Sequence, residues 1–88
     1  MAQYWVVTTG PKDQPGINGG FMNSPDDQVR TVNTVDVEDM DDACARVTAA
    51  GGKIVVPKVA IAGMAWIAYG TDPTGGLFGL HQDDPTAK

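Results

Sequence analysis

The pattern of apolar and polar positions divides the chain into six extended segments and one helix. Aromatic and β-branched residues, which are typical of strands, dominate the extended segments. These predicted strands cover residues 4–9, 17–22, 29–37, 53–61, 64–71 and 77–82. From residue 29 onward the order is β-α-β-β-β, with two further strands before it and a frayed tail after it. The pattern predicts the α+β class.

One helix is predicted between residues 39 and 52. Asp39 is a favourable N-cap, and Asp41 and Asp42 place negative charge in the first turn, where the helix dipole favours it. Two consecutive glycines then predict its end. Apolar residues at helical spacing predict one buried face, formed by Met40, Ala43, Cys44, Val47 and Ala50.

The final strand alternates between two faces of the predicted sheet. Leu77, Gly79 and His81 share one face, whereas Phe78 and Leu80 share the other. If the helix covers the face with Phe78 and Leu80, His81 points away from it. The glycine within this strand indicates a bend or a close approach by another group.

Composition excludes several classes of partner. The chain has 88 residues and a formal net charge of -5, and its six basic residues are scattered, which argues against nucleic-acid binding. It has no apolar run long enough to span a membrane and no basic region before its first apolar run, so we expect a cytoplasmic protein without membrane contact. Cys44 is the single cysteine, so no internal disulfide supports this short chain, and association with a second copy becomes attractive.

Two titratable residues are candidates for catalysis. His81 is the only histidine, the residue type that changes charge near neutral pH, and it suits a general acid or base or a single metal ligand. The alternative for His81 is a half-exposed residue at the rim of the sheet. Asp36 is a second candidate base, and its alternative is to orient the backbone before the helix. Cys44 lies on the apolar helix face and is expected to act as a small hydrophobe.

A ligand surface is predicted on the face that carries His81. Thr34 and Asp36 share that face if the first strand of the β-α-β-β-β unit follows the same alternation. Trp66 and Tyr69 lie on opposite faces of one strand, so at most one of them lines this surface, and core packing is the alternative for either. The predicted ligand-binding residues are Thr34, Asp36, Trp66 and His81.

Three stretches carry a resemblance to a known superfamily. They are "DVEDMDDACARVTAAGGKIVVPK", "AYGTDPTGGLFGLHQ" and the N-terminal "YWVVTTGPKDQPGINGGFM". Together they resemble the glyoxalase / bleomycin-resistance / extradiol-dioxygenase superfamily, also called the vicinal oxygen chelate superfamily. Members normally have two βαβββ modules, whose curved mixed sheets form a cup.

The resemblance implies a shortened member with a single glyoxalase-like domain over residues 1–88. Residues 29–82 match one complete βαβββ module, and residues 1–22 match the last two strands of a module whose first β-α-β is missing. Either the chain is a fragment, or it is naturally short and completes its cup by pairing. We favour a homodimer, in which the two N-terminal strands are free to exchange between protomers.

The resemblance also implies metal-ligand positions on the first and last strands of the module. They fall at Val32 and Gly79, and neither residue has a side chain that binds a divalent metal. Gly79 is then either a ligand position that has been given up or a point of strand curvature. No metal or other cofactor is therefore expected at these positions.

Three functions follow from the resemblance. The first is a metal-free small-molecule-binding protein that works as a dimer. The second is a metal-dependent lyase or dioxygenase of the glyoxalase type, with a site shared between chains in which the candidates His81 and Asp36 come from two protomers or from this chain and a separate partner half. The third is a degenerate fragment with only an interaction role.

Overall fold

The structure, a computed structural model, describes residues 4–23 and 28–88. It forms two compact units, residues 1–30 and residues 31–88. The elements in chain order are β1 (Tyr4–Val7), β2 (Gly19–Met22), β3 (Asn33–Asp36), α1 (Met40–Ala49), β4 (Lys53–Ile61), β5 (Ala65–Thr71) and β6 (Leu77–Asp83). The predicted α+β class is confirmed. No helix among the described residues is long and apolar enough to cross a membrane.

The first unit is an antiparallel hairpin of β1 and β2. Trp5 lies opposite Phe21 across the two strands, and both side chains are exposed. The strands are shorter than the sequence predicts because the connecting loop makes its own hydrogen bonds. The backbone N–H and the hydroxyl of Thr9 both donate to Oδ1 of Asn18, at 3.1 and 3.3 Å.

The second unit is a four-stranded mixed sheet with the order β3-β6-β5-β4. β3 runs parallel to β6, and the other neighbours are antiparallel. Together with α1 these strands form the predicted βαβββ arrangement. The predicted first strand is too long: β3 is only four residues, because its pairing extends only from Asn33 opposite Phe78 to Asp36 opposite His81.

The ends of α1 follow the predicted signals. Oδ1 of Asp39 accepts the backbone N–H of Asp42 at 3.1 Å, so Asp39 is the N-cap. A second acceptor comes from β6, where Oε1 of Gln82 accepts the N–H of Met40 at 2.6 Å. At the other end, Gly51 adopts a positive φ of 96°, a conformation that glycine takes without a steric cost.

The core lies between α1 and one face of the sheet. Met40, Ala68 and Leu80 are buried in it. Around them pack the half-buried side chains of Val37, Ala43, Cys44, Val47, Trp66 and Phe78. The helix therefore covers the face with Phe78 and Leu80, which is the condition under which His81 was expected to point away from it.

The edge strand and the C-terminal tail complete this unit. β4 is one of the two edge strands and has register shifts on both sides of Val56, next to Pro57, a residue type that interrupts strand pairing. The tail is not frayed. Ala87 is buried, its carbonyl accepts the N–H of Gly63 at 2.8 Å, and the N–H of Asp84 donates to Met64 at 2.9 Å.

Candidate functional site on the open sheet face

The side of the second unit's sheet that faces away from α1 carries the candidate site. Directly paired residues of neighbouring antiparallel strands point to the same side, so the register identifies its members. Ile67 pairs with His81 and Val59, and Tyr69 pairs with Gly79 and Val56. We call this side the open face; it comprises Thr34, Asp36, Val56, Val59, Ile67, Tyr69, Leu77, Gly79 and His81.

His81 and Asp36 contact each other on the open face. Their positions are paired across the parallel β3 and β6 strands, and Nδ1 of His81 lies 3.1 Å from Oδ1 of Asp36. Nε2 of the same ring lies 3.9 Å from Oδ1 of Asp83. The His81 side chain is 30% exposed and that of Asp36 is 90% exposed. The contact orients the imidazole and leaves most of the carboxylate accessible to a ligand.

Gly79 leaves space for two neighbouring side chains. A Cβ added at Gly79 would lie 2.9 Å from Oγ1 of Thr34 and 3.2 Å from Cε1 of Tyr69. Both distances are shorter than ordinary carbon contacts, so the tyrosine ring and the threonine hydroxyl occupy the volume that a larger residue would need. The glycine in the last strand is thus explained by close packing on the open face.

The structure brings three of the four predicted ligand residues together. Thr34, Asp36 and His81 all lie on the open face. Trp66 lies on the opposite side, packed against the core, and its indole N–H donates to Oδ2 of Asp84 at 3.0 Å. The aromatic ring on the open face is that of Tyr69. Its pairing with Gly79 identifies it. This register depends on the geometry of the turn between β5 and β6, which the sequence alone does not determine.

Val32 precedes β3, whose pairing with β6 begins at Asn33. The residue opposite Gly79 is Thr34, two positions later. A threonine hydroxyl is not among the usual protein ligands of zinc or of the other transition metals. The residue paired with Gly79 therefore carries no side chain that usually binds a divalent metal.

The donor set of the open face does not fit a metal ion within one chain. Among the residues that the structure describes, no group of three His, Cys, Asp or Glu side chains could hold one. Asp36 and Asp83 approach different nitrogens of the His81 ring, so the two carboxylates and the imidazole do not converge on one point. The imidazole and the carboxylates can instead form hydrogen bonds with an organic ligand.

The Cys44 side chain has the environment of a structural thiol and not of a reactive one. It lies on α1 and is half-buried against the core. Burial raises the pKa of the Cys44 thiol, and the negative charge of Asp41 raises this pKa further, although Lys58 opposes the effect. A raised thiol pKa leaves little thiolate at neutral pH, which agrees with the expected hydrophobic role.

Two concave regions lie on the helix side of the described chain. The smaller, of about 160 Å³, lies where the end of α1 meets the turn at Asp72 and Pro73. The larger, of about 430 Å³, is a groove beside α1 that includes Val37, Arg46 and Leu80. None of the residues that define the open face lines either region.

No protein-family model matches the chain, and no curated protein is significantly similar to it in sequence. The functional interpretation therefore depends on the side chains of the open face and on their geometry.

Proposed function

We propose that the protein binds a small organic molecule on the open face, as a metal-free cytoplasmic member of the glyoxalase / bleomycin-resistance type that the sequence resembles. The observation that carries this proposal is the contact between His81 and Asp36 next to the ring of Tyr69. An oriented polar pair beside an apolar and aromatic surface is the usual composition of a small-molecule site. The order β3-β6-β5-β4, with parallel first and last strands, supports the same superfamily.

The chemistry of the face suggests how a ligand is held. A polar group of the ligand exchanges hydrogen bonds with the His81 ring and with the exposed carboxylate of Asp36. A flat apolar part lies over Ile67 and Tyr69, which are half-buried neighbours on β5. Thr34 adds a hydroxyl at the edge of this surface.

A second copy of the chain is proposed to close the site. The aliphatic side chains of Val56, Val59, Ile61 and Leu77 remain between 36% and 48% exposed. Covering this apolar surface favours association, and a two-fold dimer would place one open face against another. The hairpin of β1 and β2 supports strand exchange, because a two-stranded hairpin is marginally stable on its own and this one exposes Trp5 and Phe21.

The second candidate is a metal-dependent lyase or dioxygenase with a site shared between chains. It is favoured only by the adjacency of His81 and Asp36 on the surface that a second copy would cover. Two imidazoles and two carboxylates from a dimer would supply four donors, twice the number that His81 and Asp36 of one chain provide.

The binding proposal is tested by titrating the protein with naphthol, a flat probe that carries one hydroxyl, and recording the amide NMR signals. We expect shifts for the amides of β3, β5 and β6 around Gly79. Tyr69→Ala and His81→Ala should each weaken binding, by about tenfold for a lost ring contact or charged hydrogen bond. Trp66→Phe is the matched control, because this aromatic lies on the opposite side of the sheet.

Two results would contradict the proposal. The first is naphthol binding that is unchanged in both open-face variants. The second is tight, stoichiometric uptake of nickel, zinc, manganese or iron that is lost in His81→Ala, which would establish the metal-dependent candidate. Sedimentation over a dilution series tests the dimer separately, and a monomer at all concentrations would exclude it.

A further inference from the structure

We propose a second binding site on the helix side of the sheet, specific for small carboxylates with an apolar body. The site is the groove of about 430 Å³ between α1 and the neighbouring β-strands. It is lined by Val37, Ala43, Arg46, Val47, Ala50 and Leu80, and we call it the Arg46 groove.

The shape of the Arg46 groove follows from small residues on α1 and at its C-cap. Ala43 and Ala50 face the groove two turns apart and leave space that larger side chains would fill. Val37 and Leu80 form the opposite wall. The groove is shallow and widely open to solvent, and its lining is mostly apolar with one charged group, a composition typical of small-molecule sites.

Arg46 gives the groove its preference for an anion. Five of the six lining residues are apolar, and the sixth carries the guanidinium. Arg46 makes no ion pair with a carboxylate anywhere in residues 4–23 or 28–88, although the chain has a net charge of -5. A guanidinium binds a carboxylate through two parallel hydrogen bonds. A ligand whose hydrocarbon part contacts the apolar lining and whose carboxylate binds Arg46 matches both the lining and the guanidinium.

This inference does not depend on the proposed function of the open face. The Arg46 groove shares no residue with the open face, because α1 covers the opposite side of the sheet. Failure at either site therefore leaves the other unaffected, and the two are distinguished by which amides respond.

The test is an amide NMR titration with octanoate, compared with octylamine and octanol. We expect octanoate to shift the amides of α1 and those near Val37 and Leu80. We also expect octanoate to bind about tenfold more tightly than octanol, because one hydrogen bond to a charged group contributes about this much to affinity. Arg46→Gln should remove this difference, and Arg46→Lys should keep part of it. Lys53→Gln, at an exposed cation on β4, is the matched control and should change nothing.

A steric variant tests the groove independently of its charge. Ala43→Leu should abolish binding of all three probes by filling the space. Ala50→Leu serves the same purpose at an exposed position if the first variant does not fold. The proposal is overturned if the three probes bind equally, if Arg46→Gln leaves the octanoate preference intact, or if octanoate shifts open-face amides instead. It is also overturned if octanoate only dissociates a dimer, since the groove would then be covered by a second copy.

Discussion

The ring of Tyr69 lies directly against Gly79, its partner on the neighbouring strand. A Cβ at this glycine would approach Cε1 of Tyr69 to 3.2 Å. An aromatic residue that covers a cross-strand glycine compensates for the missing side chain and helps to set the register of the sheet. The pair therefore holds the centre of the open face in place.

Replacing Gly79 by alanine tests this packing. The new methyl group has to displace Thr34 or Tyr69, so Gly79→Ala should lower the free energy of unfolding by about 1 kcal/mol. In a Thr34→Ala background the cost should fall, because the closest contact, at 2.9 Å, is removed. Urea unfolding of the two single variants and the double variant measures this coupling.

Two other glycines provide controls for that experiment. A Cβ at Gly70 would lie 2.9 Å from the backbone carbonyl of Lys53, which cannot rotate away, so Gly70→Ala should cost about 2 kcal/mol or more. At Gly19 nothing lies within 4 Å, and Gly19→Ala should have no measurable cost. Equal effects at all three positions would contradict the packing explanation.

Gln82 connects the last strand to the start of the helix. Its side-chain oxygen accepts the N–H of Met40, one of the donors that a helix leaves unsatisfied at its first turn. Gln82→Ala should lower the free energy of unfolding by about 1 kcal/mol. Gln82→Glu keeps an acceptor and adds a negative charge near the positive end of the helix, so it should retain stability.

Measuring urea midpoints and the amide exchange of α1 checks this role. Exchange of the first-turn amides should accelerate in the alanine variant and not in the glutamate variant. The contact would be irrelevant to stability if both variants behaved like the parent chain.

Acid should weaken the turn and the tail of the second unit. Hydrogen bonds from Thr74, first from its hydroxyl, and from the N–H of Gly76 lower the pKa of Asp72. Those from Thr86 and from the Trp66 indole lower the pKa of Asp84. Because both values are depressed in the folded state, the stabilisation is complete above the ordinary carboxyl value of 3.8 and disappears as the pH falls through the lower folded values.

Urea unfolding from neutral pH to below 3.8 checks this expectation. Asp72→Asn and Asp84→Asn should each reduce the loss of stability in that acid range. Asp13→Asn is the control, because this exposed carboxylate accepts no hydrogen bond from a described residue. A pH dependence that is identical in all four chains would show that these hydrogen bonds do not contribute.

The Cys44 thiol should react slowly in the folded protein. Its raised pKa, due first to burial and then to Asp41, predicts a lower rate with Ellman's reagent than in the urea-unfolded chain. Asp41→Asn should lower the pKa and raise the rate, whereas Lys58→Gln should do the opposite. A rate that is the same folded and unfolded would mean that the thiol is not protected by the core.

The sequence was most informative where local signals determine the structure. α1 begins after Asp39 and ends before Gly51 as expected, because capping and positive φ are properties of single residues. β5 and β6 also follow their predicted ranges, since apolar runs and the turn after Thr71 delimit them.

Features set by long-range pairing were not predictable in the same way. β3 is shorter than its run of valines suggests, because its length depends on how far β6 extends beside it. The choice between Trp66 and Tyr69 likewise requires the register of three strands. Alternation did place Thr34, Asp36 and His81 on one face, but their distances depend on the parallel pairing.

That parallel pairing joins strands that are far apart in the chain. The contacting residues Asp36 and His81 are 45 positions apart, and β3 is a short strand at the edge of the sheet. Contacts of such large sequence separation form late in folding because the intervening loop has to close first. Edge strands held by few hydrogen bonds also open locally without global unfolding. A ligand bound to both residues would therefore stabilise β3 against local opening. It should slow the amide hydrogen exchange of β3 more than that of the central strand β5.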